Sequence, residues 1–355
     1  FVRCQNHKHF ICNFNATLLI SVLPPLLLIE FVLGVLGNGL ALWIFCFHLK
    51  PWKSSTVFLF NLALTDFMLN FALPFRAAYY FSGASWGFGN AFCNICLFML
   101  ALNRSGSTIF LMVIAVDRYM RVVHPHHPVN YVSVTKAACG AAVLWLFTIS
   151  LTAHTLTIPW KNTTYCESFI VQTEPSVRLT WHKTVFIFSF YMPLAVILYC
   201  TFQIIGHLRG RPLAQHPQTK RALCFITIVV MLFIICFLPS NIIQLWIWFK
   251  TQELPKNIPL SEFCANLEDL QTAFYITIIL TYLNSMLDPL VYYFSSPAFK
   301  NICRRALHQA KVTVESSDRK IRETGSQLDP LPTNKRVAIL IIWSSFYQGK
   351  TVLEV

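Results

Sequence analysis

The run Leu97-Phe98-Met99-Leu100-Ala101-Leu102-Asn103-Arg104-Ser105-Gly106-Ser107-Thr108-Ile109-Phe110-Leu111-Met112-Val113-Ile114-Ala115-Val116, followed at once by Asp117-Arg118-Tyr119, decides the fold. It is long and apolar enough to cross a bilayer core, which takes about 20 residues of helix. Yet it carries one arginine in its interior and an acid–base pair at its end. Those polar residues need partners that lipid does not supply.

The pattern recurs along the chain. Of 355 residues, 55% are hydrophobic and 12% charged, and the mean hydropathy is +0.54. A soluble domain of this size needs more polar surface, so the natural solvent is lipid. Seven stretches qualify as spans: 18–47, 56–80, 92–116, 136–157, 181–207, 222–249 and 270–294. Five enclose a proline, namely Pro24, Pro74, Pro193, Pro239 and Pro289. Neighbouring helices of a membrane bundle can satisfy the carbonyls that proline frees. The expected architecture is all-α: a seven-helix transmembrane bundle over 18–307. An extracellular N-terminus (1–17), a short cytoplasmic amphipathic helix over 297–307 and a disordered tail over 308–355 complete it. No signal peptide is read in the first fifteen residues, so the first helix is expected to direct insertion.

Basic residues set the expected orientation. Lys50, Lys53, Arg118, Arg121, Lys136, Arg209, Arg211, Lys220 and Arg221 flank one set of loops, nine against the four of the other set, Lys161, Arg178, Lys250 and Lys256. The richer side is read as cytoplasmic. The net charge of +13 is therefore assigned to topology and anionic lipids rather than to nucleic acid. The glycosylation sequons at Asn15 and Asn162 fall outside on this assignment. So do five of the twelve cysteines, of which Cys93 and Cys166 are the favoured disulfide, while Cys264 has Cys4 or Cys12 as alternatives. Cys303 is a candidate for palmitoylation.

Polar residues inside the spans mark the working parts. Asp66 and Asp288, with Ser107, Asn284 and Ser285, read either as a hydrated core that can hold a sodium ion or as a packing network. Arg104 lies about 21 Å of helix from Arg118, too deep to snorkel easily. Its reading is an anchor for an anionic ligand, and the competing one a salt bridge to an acid such as Glu30. Arg76 is either a second pocket cation or a snorkelling side chain. Tyr79 and Trp86 line a pocket mouth or form an interfacial belt. Asp117-Arg118-Tyr119 has the makings of a switch in which the guanidinium changes partner. The histidines at 124, 126 and 127 lack a ligand set for a metal.

With these residues in place, the chain resembles the rhodopsin-like (class A) G-protein-coupled receptors. The resemblance rests on Gly37-Asn38, Leu62-Ala63-Leu64-Thr65-Asp66, Asp117-Arg118-Tyr119, Trp145, Pro193, Cys236-Phe237-Leu238-Pro239 and Asp288-Pro289-Leu290-Val291-Tyr292. More narrowly it is similar to the cluster of hydroxycarboxylic acid and oxoeicosanoid receptors, through Asn103-Arg104-Ser105-Gly106-Ser107, Cys166-Glu167-Ser168-Phe169 and Tyr282-Leu283-Asn284-Ser285. The resemblance implies that Arg104 anchors a ligand carboxylate, with Arg76, Trp86, Ser168, Phe169 and Tyr282 around it. It also implies a plasma-membrane receptor for a small acidic extracellular ligand, with an inhibitory-class heterotrimeric G protein, arrestin and receptor kinases as partners. Tyr292 joins the switch on the same grounds. Three departures bear on the ligand: Gln244 where the short-acid receptors carry arginine, Trp246 and Trp248 after it, and Ala78 in place of an acid. They favour an acid with a longer apolar tail. A transporter of organic anions is the alternative, and it would show internal repeats; an enzyme would need a nucleophile–base or metal motif that the chain lacks.

Overall fold

The computed structural model describes residues 3–5, 9–11, 17–157, 166, 185, 187–209, 217–253, 260–305, 308, 312 and 316, the first twenty of the chain and the segments bordering the gaps as backbone alone. Seven helices among them are long and apolar enough to cross a membrane: Ser21–His48, Ser54–Phe81, Asn90–Val123, Val134–Thr157, Phe188–Leu208, Leu223–Lys250 and Thr272–Ser295. They are called spans one to seven below. The expected seven-helix bundle is therefore present, and a further helical stretch occupies 297–305. One element was not foreseen. Strands β1 (Arg3–Gln5) and β2 (His9–Ile11) pair antiparallel, with Cys4 opposite Phe10. The chain divides into two compact units, Phe1–Ser295 and Ser296–Val355.

The outside of the bundle is apolar because lipid, not water, faces it. Phe47, Val143, Leu146, Phe202 and Phe249 are among its most exposed side chains. Polar groups turn inward instead, and several answer the prolines. Pro193 cannot donate to the carbonyl of Ser189, four residues back. Span five relaxes there into a π-helical turn, Ile187–Tyr191, and the Thr108 hydroxyl of span three donates to Ser189 O at 2.8 Å. Pro289 likewise frees the carbonyl of Ser285, which accepts from Asn38 Nδ2 of span one at 2.7 Å. Span six holds a second π turn, Phe233–Phe237, just before Pro239. There Thr281 donates to Cys236 O at 3.1 Å and Asn241 Nδ2 to Phe237 O at 2.6 Å. Four carbonyls at these irregularities thus meet a side chain, three of them from another span and one from span six itself. A backbone can leave helical geometry at membrane depth only in this way.

Two glycines set how closely spans one, two and three approach. A Cβ on Gly34 would sit 2.5 Å from Asn70 Oδ1, and one on Gly106 would sit 2.9 Å from the Thr65 methyl. Gly106 brings span three against span two at the level of Asp66.

Candidate functional site

Arg104 lies on span three at the level of the π turn in span six. Its Nη2 donates to Asn241 Oδ1 at 2.7 Å. No acceptor among the described residues meets Nε or Nη1. No carboxylate among the described residues pairs with it, and the ion pair on this span joins Arg121 to Asp117. The salt bridge to Glu30 is not formed: Glu30 is buried, and its Oε2 has no hydrogen-bond partner. Tyr191 of span five and Tyr282 of span seven lie within electrostatic reach of the guanidinium. A half-buried cation at the junction of four spans, with two of its three nitrogens open, is the arrangement a carboxylate needs for a charge-assisted grip.

Along the inner face of span six, the buried Ser240, Asn241 and Ile247 bracket the half-buried Gln244. Trp246 points the other way and is 57% exposed on the outer surface. Of the two tryptophans that could add apolar surface to a pocket or face lipid, this one faces outward. Ile243 and Ile247 supply apolar surface on the inner side, packed with Tyr275, Ile278 and Tyr282.

Arg76 neither snorkels nor stands open. It is buried, donates from Nη1 to the carbonyl of Cys166 and from Nη2 to Tyr80 OH at 2.9 Å, and lies 5.2 Å from the ring centres of Tyr79 and Tyr80. Cys166 is disulfide-bonded to Cys93 at the start of span three. Arg76 and the disulfide thus hold the same residue of the connection between spans four and five. Tyr79 and Trp86 are buried in this cluster rather than arrayed in an interfacial belt. Trp86 donates to Gly89 O at 2.8 Å and stacks on Phe92. Ser168, Phe169, Asn15 and Asn162 lie outside the described residues, as does the tail beyond residue 305 apart from positions 308, 312 and 316.

Below Arg104 the polar core is drawn together from four spans, one, two, three and seven. Asp66 Oδ1 accepts from Asn103 Nδ2 at 3.0 Å and from Ser107 Oγ at 3.1 Å. Its Oδ2 lies 3.1 Å from Tyr292 OH, which is also 3.3 Å from Asn38 Oδ1. Ser285 Oγ donates to the backbone carbonyl of Asp66 at 3.3 Å. Asp288 is the neighbouring acid and accepts from Asn284 Nδ2 on Oδ2 at 2.8 Å. Its Oδ1 and Asn284 Oδ1 are buried without a hydrogen-bond partner. Two acids and two orphaned oxygens form an all-oxygen donor set, which suits a hard cation rather than a transition metal. Asp66, Asp288, Ser107 and Asn284 are the residues that would hold a sodium ion. Tyr292, expected with the switch, is tied to this core.

At the far end of span three, Asp117 does not pair with the adjacent Arg118. It receives Arg121 Nε at 3.0 Å on both oxygens and Ser55 Oγ at 2.8 Å. Arg118 reaches across the bundle to Ser295 Oγ, and its guanidinium carbon lies 5.1 Å from the Phe225 ring centre of span six. Tyr119 OH meets His124 Nε2 at 3.0 Å. Trp145 donates to Asn61 Oδ1 at 2.8 Å, which fixes span four on span two. Sequence reasoning missed Asn241, Asn103 and Arg121. An i,i+4 acid–arginine spacing was the available signal for Arg121, and for Asn241 an amide two residues past a span proline.

The family model for the "7 transmembrane receptor (rhodopsin family)" matches residues 37–292. The chain is 44% identical over 353 residues to hydroxycarboxylic acid receptor 2 of Homo sapiens, covering 96% of this chain and 94% of that one. It is 45% identical over 294 residues to hydroxycarboxylic acid receptor 1 of the same species, 81% of each chain. With oxoeicosanoid receptor 1 of Homo sapiens the identity is 39% over 312 residues, 85% of this chain and 78% of the relative.

Proposed function

We propose that this chain, which belongs to the rhodopsin family of seven-transmembrane receptors, responds to an extracellular carboxylic acid held by Arg104 and signals through an inhibitory-class heterotrimeric G protein. As a member of that family it is an integral protein of the plasma membrane and a receptor rather than an enzyme. It takes an extracellular ligand and a heterotrimeric G protein as partners. The observation that carries the finer reading is the half-open guanidinium of Arg104, which meets one neutral amide and no acid among the described residues. The names of its relatives, for hydroxycarboxylic acids and an oxoeicosanoid, point to the same ligand class. The end of the bundle bearing the disulfide is the extracellular end in this reading, the N-terminus with it, and Asp117-Arg118-Tyr119 faces the G protein. Residues 18–307 form the receptor proper. The oxygen cluster of Asp66 and Asp288 holds a sodium ion when span seven is packed as here.

Within the acid class, Gln244 supplies no second charge beside Arg104, and the inner face above it is apolar. A tail of several carbons is favoured over a lactate-sized acid, because each buried methylene contributes up to about 0.8 kcal/mol. The test is nucleotide exchange on purified inhibitory-class G protein over straight-chain and hydroxylated acids of two to twenty carbons. Potency is expected to rise with chain length and to fall more than a hundredfold in Arg104→Ala, since loss of a charge-assisted contact costs about 3 kcal/mol. An unchanged dose–response curve in Arg104→Ala overturns the acid reading. Lactate as the most potent agonist overturns the preference for a long tail alone.

A further inference from the structure

Spans three and six touch at two described polar or cationic contacts: Arg104 with Asn241, and Arg118 with Phe225. The second closes the end of the bundle that the G protein must enter, so span six has to leave Arg118 for coupling to occur. The first lies fourteen residues away on span three and sixteen on span six. Asn241 is fully buried and has both ends of its amide engaged. Oδ1 accepts from Arg104, and Nδ2 donates to Phe237 O at 2.6 Å, the last residue of the π turn. Through this single side chain the guanidinium on span three is joined to the irregular turn of span six. That turn is held on its other side by Thr281, which donates to Cys236 O and lies 3.1 Å from Ser240 Oγ.

We infer that the Arg104–Asn241 hydrogen bond is a latch holding span six on span three, and that a carboxylate bound at Arg104 opens it. The second half of this rests on the acid-receptor reading above. The reason is the geometry of the guanidinium. It grips a carboxylate doubly along one of two edges, Nε with Nη2 or Nη1 with Nη2, with one Nη2 hydrogen on each edge. A carboxylate that enters the edge held by Asn241 competes with the amide for the same hydrogen. An amide oxygen is a neutral acceptor, whereas a carboxylate adds the attraction of opposite charges and a second, parallel hydrogen bond that the amide cannot offer. The ligand therefore draws Nη2 away from Asn241 and removes the bond that braces the π turn. A cation held by a full carboxylate of the protein would not be released so readily. A neutral latch suits a site that must stay closed without ligand and yield to it.

The latch is tested in full-length receptor in lipid nanodiscs, with spin labels on Cys224, which is exposed on span six, and on Tyr131→Cys beyond the end of span three, in a Cys46→Ser/Cys139→Ser background. The distance distribution gives the fraction of molecules with the two spans parted, and no ligand is needed. Asn241→Leu and Arg104→Leu are each expected to raise the ratio of parted to closed molecules about tenfold, as loss of about 1.4 kcal/mol does. The double variant should go no further than either single. Asn241→Asp, which turns the neutral bond into an ion pair, should push the ratio below wild type. Opposite signs for Leu and Asp at one position are not produced by misfolding. An unchanged ratio in either Leu variant, additive shifts, or an Asp variant that opens like Leu overturns the latch. Added dodecanoate should then part the spans of the wild type and not those of Asn241→Asp. If neither this acid nor any other of the series acts on the wild type while the ligand-free cycle holds, the latch stands and the acid-receptor reading falls.

Discussion

Replacing Asn38 by Ala removes a side chain that closes the gap left by a proline, and the cost can be worked from its bonds. Asn38 Nδ2 donates to Ser285 O at 2.7 Å and to Gly34 O at 3.2 Å, and Oδ1 lies 3.3 Å from Tyr292 OH. Gly34 O is an ordinary helix carbonyl and retains a partner within the helix. Ser285 O has lost its own, because Pro289 has no N–H. Leaving that buried carbonyl unmet costs about 1–3 kcal/mol. The small cavity and the weaker Tyr292 contact bring the total to roughly 3 kcal/mol. Pro289→Ala returns an N–H to Ser285 O and is expected to be nearly neutral alone. In the double variant, about 1–2 kcal/mol of the Asn38→Ala loss should therefore be recovered. The assay is reversible unfolding of detergent-solubilised receptor, with surface expression as a second readout. Losses that simply add, with Pro289→Ala giving no recovery, would refute the idea that Asn38 serves the carbonyl freed by Pro289.

Two other perturbations follow from close approaches. Gly106→Ala places a methyl group 2.9 Å from Thr65 Cγ2 and should destabilise by about 1–3 kcal/mol. Thr65→Ser removes that methyl but keeps the hydroxyl bonded to Leu62 O, so the pair should unfold later than Gly106→Ala alone; equal melting would show that the clash is absorbed elsewhere. Cys93→Ser and Cys166→Ser should lower acid-stimulated nucleotide exchange equally, and their combination no further, because the disulfide holds the residue whose carbonyl Arg76 grips. Additive losses in exchange would mean that each cysteine acts alone.

Much of the bundle was legible because lipid makes polarity conspicuous. Asp66, Arg104, Asp117 and Asp288 stand out in apolar runs, and each occupies a polar junction in the structure. Partners were harder to read than positions. Arg76 left two readings open because its acceptor, the Cys166 carbonyl, is 90 residues away and depends on the path of a connecting segment. Whether Trp246 faces the pocket or lipid could not be read from spacing, because the phase of a helix shifts across a π turn and the turn at Phe233–Phe237 carries no strong sequence signal. Asn241 escaped notice because a lone amide in a membrane helix is an ordinary packing residue until the cation opposite it is known. The strands at Arg3–Gln5 and His9–Ile11 are too short for alternation to declare them.

Arg76, Arg104 and Arg118, three of the four arginines buried or half-buried within the bundle, differ in how far their hydrogen-bonding capacity is met, and that difference suits them to different roles. A guanidinium offers five N–H donors, and in lipid each unmet donor favours any arrangement that supplies an acceptor. Arg76 has a carbonyl, a phenol oxygen and two ring faces. It is the most nearly satisfied, which suits a fixed brace for the Cys93–Cys166 connection. Arg118 has one hydroxyl and one ring face, and its Nε is buried without a partner. A better arrangement for it exists only if the helices around it move, which is the condition a switch must meet. Arg104 has one neutral amide and two nitrogens open on a half-buried side chain. It can be satisfied without any backbone movement, by an anion arriving from outside. The residue that needs only a ligand and the residue that needs a conformational change lie on one helix, and span six contacts both. On the latch inference, filling the first removes a contact of span six, and the departure of that span releases Arg118 from Phe225. On that inference, coupling between the two ends of the receptor runs along span three and through a span six that pivots at its π turn, Phe233–Phe237.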